Sequence, residues 1–160
     1  MPDNISIAII GGGPAGLTAA VILEQNGFDV TVFEEASADS DRSQGGSLDL
    51  HPDSGQEALR KAGLLQQFRK IARHEDQQSR MINHRTGETE EDTHTPEGEI
   101  EKPEIDRGEL QNLLQGALSP KTIQWGHKLH YVDYGLNKHH GLMFRNGSGD
   151  DADIVIGAEG

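Results

Sequence analysis

The chain has no cysteine, which excludes disulfides, thiolate metal sites and a cysteine nucleophile, and removes any dependence on an oxidising compartment. Aromatic residues are scarce at 4%, hydrophobic residues reach only 33%, and mean hydropathy is -0.64. A core must therefore be drawn from a few apolar segments. Positive charge is also short: 14 basic residues face 27 acidic ones, giving a formal net charge of -13. That balance repels phosphate backbones and anionic lipid surfaces, so neither nucleic acid nor a stable membrane insertion is expected. No stretch approaches the roughly 18 uninterrupted apolar residues of a membrane span. The apolar run from Ile5 to Ile10 does not read as a signal peptide, because Asp3 precedes it, no Lys or Arg does, and Gly11 to Gly13 interrupts it. A cytoplasmic protein is the expectation, with its oligomeric state left open.

Other chemistries are missing as well. Eight histidines are present, yet none falls into an H-E-x-x-H or comparable ligand spacing, and no metal is expected. Ser47, Ser54 and Ser79 lack a nucleophile-elbow context. Trp125 and Tyr131 fall in a strand-like segment and read as packing residues. The chain has no internal repeat.

What is there begins at the N-terminus. Ile5 to Ile10 is short, β-branched and apolar throughout, the signature of a central parallel strand covered on both faces. Pro14 suits the first turn of a helix. Leu17, Ala20, Val21 and Leu23 then share one helical face up to Asn26, and Gly27 is a natural stop. Asp29 to Glu35 is a second strand, so the first 35 residues form a βαβ unit. The spacing further predicts an amphipathic helix over 55–73 interrupted by Gly63, a short strand over 80–84, a polar solvated excursion over 86–104, and a helix capped by Asp106 with Glu109 three residues on. Thr122 to Tyr134 and Gly141 to Arg145 read as strands, Asn146-Gly147 as a turn, and "ADIVIGAEG" as a last buried strand.

Gly11, Gly13 and Gly16 satisfy G-x-G-x-x-G between the first strand and its helix. Gly11 would make the tight turn, Gly13 would let a pyrophosphate approach the backbone, and Gly16 would let helix and strand pack closely. Glu34 closes the second strand eighteen positions after Gly16, where a carboxylate accepts hydrogen bonds from an adenosine ribose. A carboxylate there disfavours a 2′-phosphate, so the cleft is expected to hold FAD or NAD and not NADP. The fingerprint alone leaves those two open, since both present ADP.

Three later segments carry a resemblance: "RSQGGSLDLHPDSGQEALRKAGLLQQF", "PEIDRGELQNLL" and the closing "ADIVIGAEG". They resemble the aromatic-ring-hydroxylase class of FAD-dependent monooxygenases, in particular the tetracycline-inactivating members. The resemblance implies an α/β fold, a Rossmann-like FAD-binding domain with a parallel sheet and a small β excursion. It also implies a reaction in which NAD(P)H reduces FAD, the flavin takes up O₂, and a C4a-hydroperoxide hydroxylates an aromatic or polycyclic small molecule. Carried over by position, Asp49 and Arg107 would contact FAD, and Arg42 would meet the NADPH donor. From the residues alone Arg42 is a loop guanidinium facing either solvent or phosphate. Glu159 stands where the family commonly has aspartate, and Glu35 where some relatives have a basic residue beside the adenine.

The resemblance implies a single incomplete FAD/NAD(P)-binding domain over 1–160, with 80–104 reaching towards a substrate domain. The family continues into a substrate-binding sheet and a Gly-Asp motif that are not in this sequence, so a truncated N-terminal part, inactive alone, is expected. Two other readings remain at this level: a non-catalytic dinucleotide-binding module completed by another chain, and an NAD-dependent oxidoreductase.

Overall fold

The computed structural model of the protein describes residues 5–38, 46–74, 77–95, 101–135 and 139–159. Strand β1 (Ser6–Ile10) runs into helix α1 (Pro14–Gln25) and returns as β2 (Asp29–Glu34), as the hydrophobic pattern predicts. Gly27 ends the crossover with φ +82. Two further strands, β7 (Ile123–Trp125) and β11 (Ile154–Gly157), complete a four-stranded parallel sheet in the order β11-β1-β2-β7.

The continuous apolarity of β1 is explained by burial on both faces. Ile7 and Ile9 join Leu17, Ala20 and Val21 of α1, together with Leu59, Phe68, Leu110 and Leu114 from the helices α2 (Gly55–Lys61), α3 (Leu65–Ile71) and α4 (Arg107–Gln115). Ala8 and Ile10 point the other way, into a second cluster with Phe33, Leu142, Phe144 and Ala152. That second face is covered by an antiparallel sheet of β8 (Leu129–Tyr134), β9 (His140–Phe144) and β10 (Gly149–Ala152). Each fully buried Leu, Ile or Phe contributes about 1.5–3 kcal/mol. The scarce apolar residues of this polar chain are thus concentrated in two clusters, one on each face of the sheet.

Five local expectations are corrected. The helix over 55–73 is two short helices, because Gly63 adopts φ +70 and turns the chain between them. The strand over 122–134 is likewise split at Gly126, with φ +73. Tyr131 is 52% exposed and does not pack in the core. The short strand expected over 80–84 is present as β4 (Gln77–Ile82), but the polar excursion after it is not all loop: it supplies a hairpin partner, β5 (Thr89–Thr95), and then β6 (Glu104–Asp106), which pairs with β3 (Ser47–Asp49). The hairpin is held by polar pairs: Arg80 sits opposite Asp92 and donates to it at 2.8 Å. At the bend the Asn83 carboxamide oxygen accepts from the N–H groups of Arg85 and Thr86.

Asp106 precedes α4 as expected, but its carboxylate makes no cap; it accepts from Arg73 at 2.9 Å. An ion pair across 33 residues has displaced the local bond.

The last strand is fastened to the first by Asp153. Its Oδ2 accepts from the N–H of Ser6 at 2.9 Å and from the Ser6 hydroxyl at 3.0 Å, while its own N–H donates to the Ser6 carbonyl at 3.1 Å. His139 Nδ1 lies 3.2 Å from Oδ1. The Ser6 hydrogen bonds, with a smaller contribution from His139 and His140, hold the Asp153 carboxyl below its ordinary value of 3.8. A carboxyl lowered by folding stabilises the folded state above its unfolded pKa, and that contribution is lost as pH falls through the folded value. Acid melts should therefore show a loss of midpoint below about pH 4 that is smaller in Asp153→Asn, with the variant already less stable at pH 7. Parallel curves for the two proteins would remove Asp153 from that account.

Candidate functional site: a cleft at the carboxyl ends of the parallel strands

Strand order places the site. On one side β1 neighbours β2, reached through α1, and on the other it neighbours β11, so the loops leaving β1 and β11 part at the sheet's carboxyl edge. Open α/β sheets bind ligands in such a crevice. Here it is a cleft of about 710 Å³ whose lining includes Gly11, Gly13, Glu34, Arg107, Lys128 and Glu159.

The three fingerprint glycines do different work. Gly11 has φ +109, and a Cβ on it would lie 2.8 Å from the carbonyl oxygen of Ala158, just after β11. Gly16 is buried beneath the turn: a Cβ there would lie 2.1 Å from the Gly11 carbonyl oxygen and 3.2 Å from Ala158 Cβ. Gly13, by contrast, would direct a Cβ into open space. It forms the N-cap of α1, which has no side-chain cap and no acidic residue in its first turn. The first N–H groups and the positive end of the helix dipole therefore meet the cleft without a competing carboxylate of their own.

Glu34 is held rigidly at the end of β2. Its Oε2 accepts from the Gly12 N–H at 2.7 Å and its Oε1 from the Ala36 N–H at 2.8 Å. These two bonds, one to each oxygen, fix the orientation of the carboxylate. Across the cleft, Arg107 opens α4; its N–H donates to the Gly46 carbonyl at 3.2 Å. Its exposed guanidinium forms no ion pair among the described residues. Lys128 pairs with Glu35 at 2.9 Å, so the wall at Glu35 carries a cation after all.

The sequence-predicted residues thus divide. Gly11, Gly13, Glu34 and Arg107 meet on one cleft, and Gly16 supports it from below. Asp49 is exposed at the end of β3, paired in register with Glu104, and its neighbour Leu48 is the residue that reaches the lining. Arg42 lies outside the described residues. Sequence reasoning passed over Gly12, whose N–H holds Glu34, and Gln111 of α4, whose Nε2 donates to the Gly12 carbonyl at 3.1 Å. Gly12 was signalled by the unbroken triplet of glycines; Gln111, 99 residues away, was not.

These features fit an ADP-bearing cofactor: a backbone open at Gly13, an uncapped helix start, a cation on the facing wall and an oriented carboxylate. The sequence matches the FAD binding domain family over residues 4–160. The chain belongs to that family. It is similar to the monooxygenase asqM of Emericella nidulans, with 37% identity over 79% of this chain and 29% of that protein. It is also similar to the monooxygenase penA of Penicillium thymicola, with 31% identity over 99% of this chain and 38% of that protein. Among solved structures, the tetracycline destructase Tet(55) superposes with a TM-score of 0.76 at 23% identity, over all of this chain and 39% of that one. The chain therefore spans about a third of the length of these curated relatives. No helix among the described residues is long and apolar enough to cross a membrane.

Proposed function

We propose that the chain is the FAD-binding domain of a flavin-dependent monooxygenase that hydroxylates an aromatic or polycyclic small molecule in the cytoplasm, with NAD(P)H as electron donor. The observation that carries this reading is the convergence of Gly11, Gly13, Glu34 and Arg107 on a single cleft. The monooxygenase names of asqM and penA support the reaction class.

FAD, when bound, supplies the redox chemistry; the chain's residues bind and orient it. Gly13 and the start of α1 hold the pyrophosphate through backbone N–H groups. The Arg107 guanidinium neutralises its charge with a forked donor pair. Glu34 accepts from the ribose hydroxyls and repels a 2′-phosphate, which separates FAD from NADP as the resident dinucleotide. Asp49 would contact FAD further along its length, and Arg42 the donor. One domain over 1–160, with 80–104 as an excursion, completes the reading. Contacts spread along the whole cofactor determine affinity. The isolated chain is accordingly expected to bind FAD by its ADP end without turning over a substrate.

Calorimetric titration tests this. FAD should bind and be displaced by ADP, while FMN, which lacks the ADP portion, should not compete. Arg107→Gln should weaken FAD binding by about ten-fold, in line with a charge-assisted hydrogen bond. Its melting point should stay put, because that guanidinium forms no ion pair among the described residues. Tight binding of NAD with no response to FAD would replace the flavoprotein reading with that of an NAD-dependent oxidoreductase.

A further inference from the structure

We infer that Gln111 is a positioning residue for cofactor recognition, acting on the ribose through the Gly12 peptide and Glu34. The inference rests on the reading of the cleft as an ADP site and extends it to a residue outside the fingerprint.

The Gly12 peptide is gripped from two sides. Its N–H donates to Glu34 Oε2 at 2.7 Å, and its carbonyl accepts from Gln111 Nε2 at 3.1 Å. There is little slack, since a Cβ on Gly12 would lie 3.0 Å from Glu34 Oε2 and 3.2 Å from Glu34 Cβ. On either side the turn is held only by backbone: Gly11 N–H donates to Phe33 carbonyl at 2.9 Å, and Gly13 carbonyl accepts from Leu17 N–H at 2.9 Å. Gln111 thus ties the middle of the turn to α4, as Glu34 ties it to β2.

That element is rigid. Leu110 and Leu114, which flank Gln111 on α4, are 3% and 0% exposed and are locked into the main core. Gln111 itself is only half-buried, at the rim of a second cleft of about 230 Å³ that Gly12 also lines and that shares Glu34 with the first. A side chain at such a rim contributes little to the core, so its hydrogen bond chiefly fixes where the turn sits. Without that bond the Gly12 peptide can rotate, its N–H leaves Glu34, and the carboxylate loses a bond that aims it. A carboxylate that is no longer aimed gives up hydrogen bonding to the ribose, while the phosphate contacts at Gly13 and Arg107 remain.

The test compares ADP with 2′-deoxy-ADP on the 160-residue chain, by calorimetry, for wild type, Gln111→Met and Gln111→Leu. Both variants are uncharged, close to glutamine in size and lack its N–H donor; melting curves establish which is folded, and either one alone suffices. Wild type should prefer ADP by about ten-fold, as expected for a hydroxyl donating to a carboxylate. In the variants the preference should shrink to about two-fold or less, with 2′-deoxy-ADP binding as in wild type. A merely structural role would weaken both ligands together and leave their ratio intact, and that result overturns the inference. No preference in wild type would instead sink the assignment of Glu34 to the ribose, and no binding of either nucleotide would sink the ADP reading itself.

Discussion

Gly16→Ala will cost the domain roughly 3 kcal/mol or more, while Gly13→Ala will leave it as stable as wild type and lower its affinity for FAD at least ten-fold. The two glycines are three residues apart in one fingerprint, yet they answer to different constraints. A Cβ at position 16 would sit 2.1 Å from the Gly11 carbonyl oxygen, which is backbone and held by the strand behind it, and 3.2 Å from Ala158 Cβ. Neither neighbour is a flexible side-chain end, so α1 must lift off the sheet. For a chain of this length each kcal/mol is about 2–4 °C, so the melting point should drop by roughly 6–12 °C. At position 13 the backbone has φ -73 and a Cβ meets nothing within 4 Å. Alanine fits that conformation and reduces the freedom of the unfolded chain, an effect of about 0.4–1 kcal/mol in favour of folding. Its methyl group projects into the space the phosphates need. Melting curves and FAD titrations of the two variants should therefore give opposite patterns. Full FAD affinity in Gly13→Ala would place the phosphates elsewhere.

Glu34→Gln should lower stability by about 1–3 kcal/mol and at the same time erode the preference for ADP over its 2′-phosphorylated analogue. In wild type both carboxylate oxygens accept backbone N–H groups, from Gly12 at 2.7 Å and Ala36 at 2.8 Å. Glutamine retains one acceptor oxygen; its NH₂ would face the second N–H, leaving a donor without an acceptor in a partly buried place. The charge is lost as well, and with it the repulsion of a 2′-phosphate. The readouts are a denaturant melt and the ratio of affinities for ADP and 2′-phospho-ADP. An unchanged ratio would mean that Glu34 serves the turn alone.

The parts of this molecule that were legible in the sequence are those whose cause is local or repeats with the period of one element. The β1-α1-β2 unit is announced by a β-branched run, a helical stripe and two glycine stops, all within 30 residues. The last strand could be recognised from the apolarity of "ADIVIG", although nothing in that stretch says that it pairs with β1 in the register Ile7 to Ile154. Half of the hairpin over 77–95 was legible, as the short strand expected over 80–84; its second strand was hidden because its cohesion lies in Arg80–Asp92 and in the Asn83 turn, polar pairs that composition counts as solvated loop. Asp106 misled for the same reason: its partner Arg73 is remote in sequence, and the carboxylate chose the ion pair over the cap. Around the turn, the glycines and Glu34 belong to a motif with a mechanical rationale, whereas Gln111 of the second cleft and Lys128 and Leu48 of the first arrive there only through tertiary packing.

The contact between Gly11 and Ala158 also sets a timetable. During synthesis the fingerprint emerges first, but the tight turn it encodes is completed by a segment translated almost 150 residues later, delivered by a strand that Asp153 anchors to Ser6. A nascent chain carrying only the first βαβ unit therefore has the motif and lacks one wall of the cleft, so cofactor capture must wait until β11 and the residues that follow it have been made.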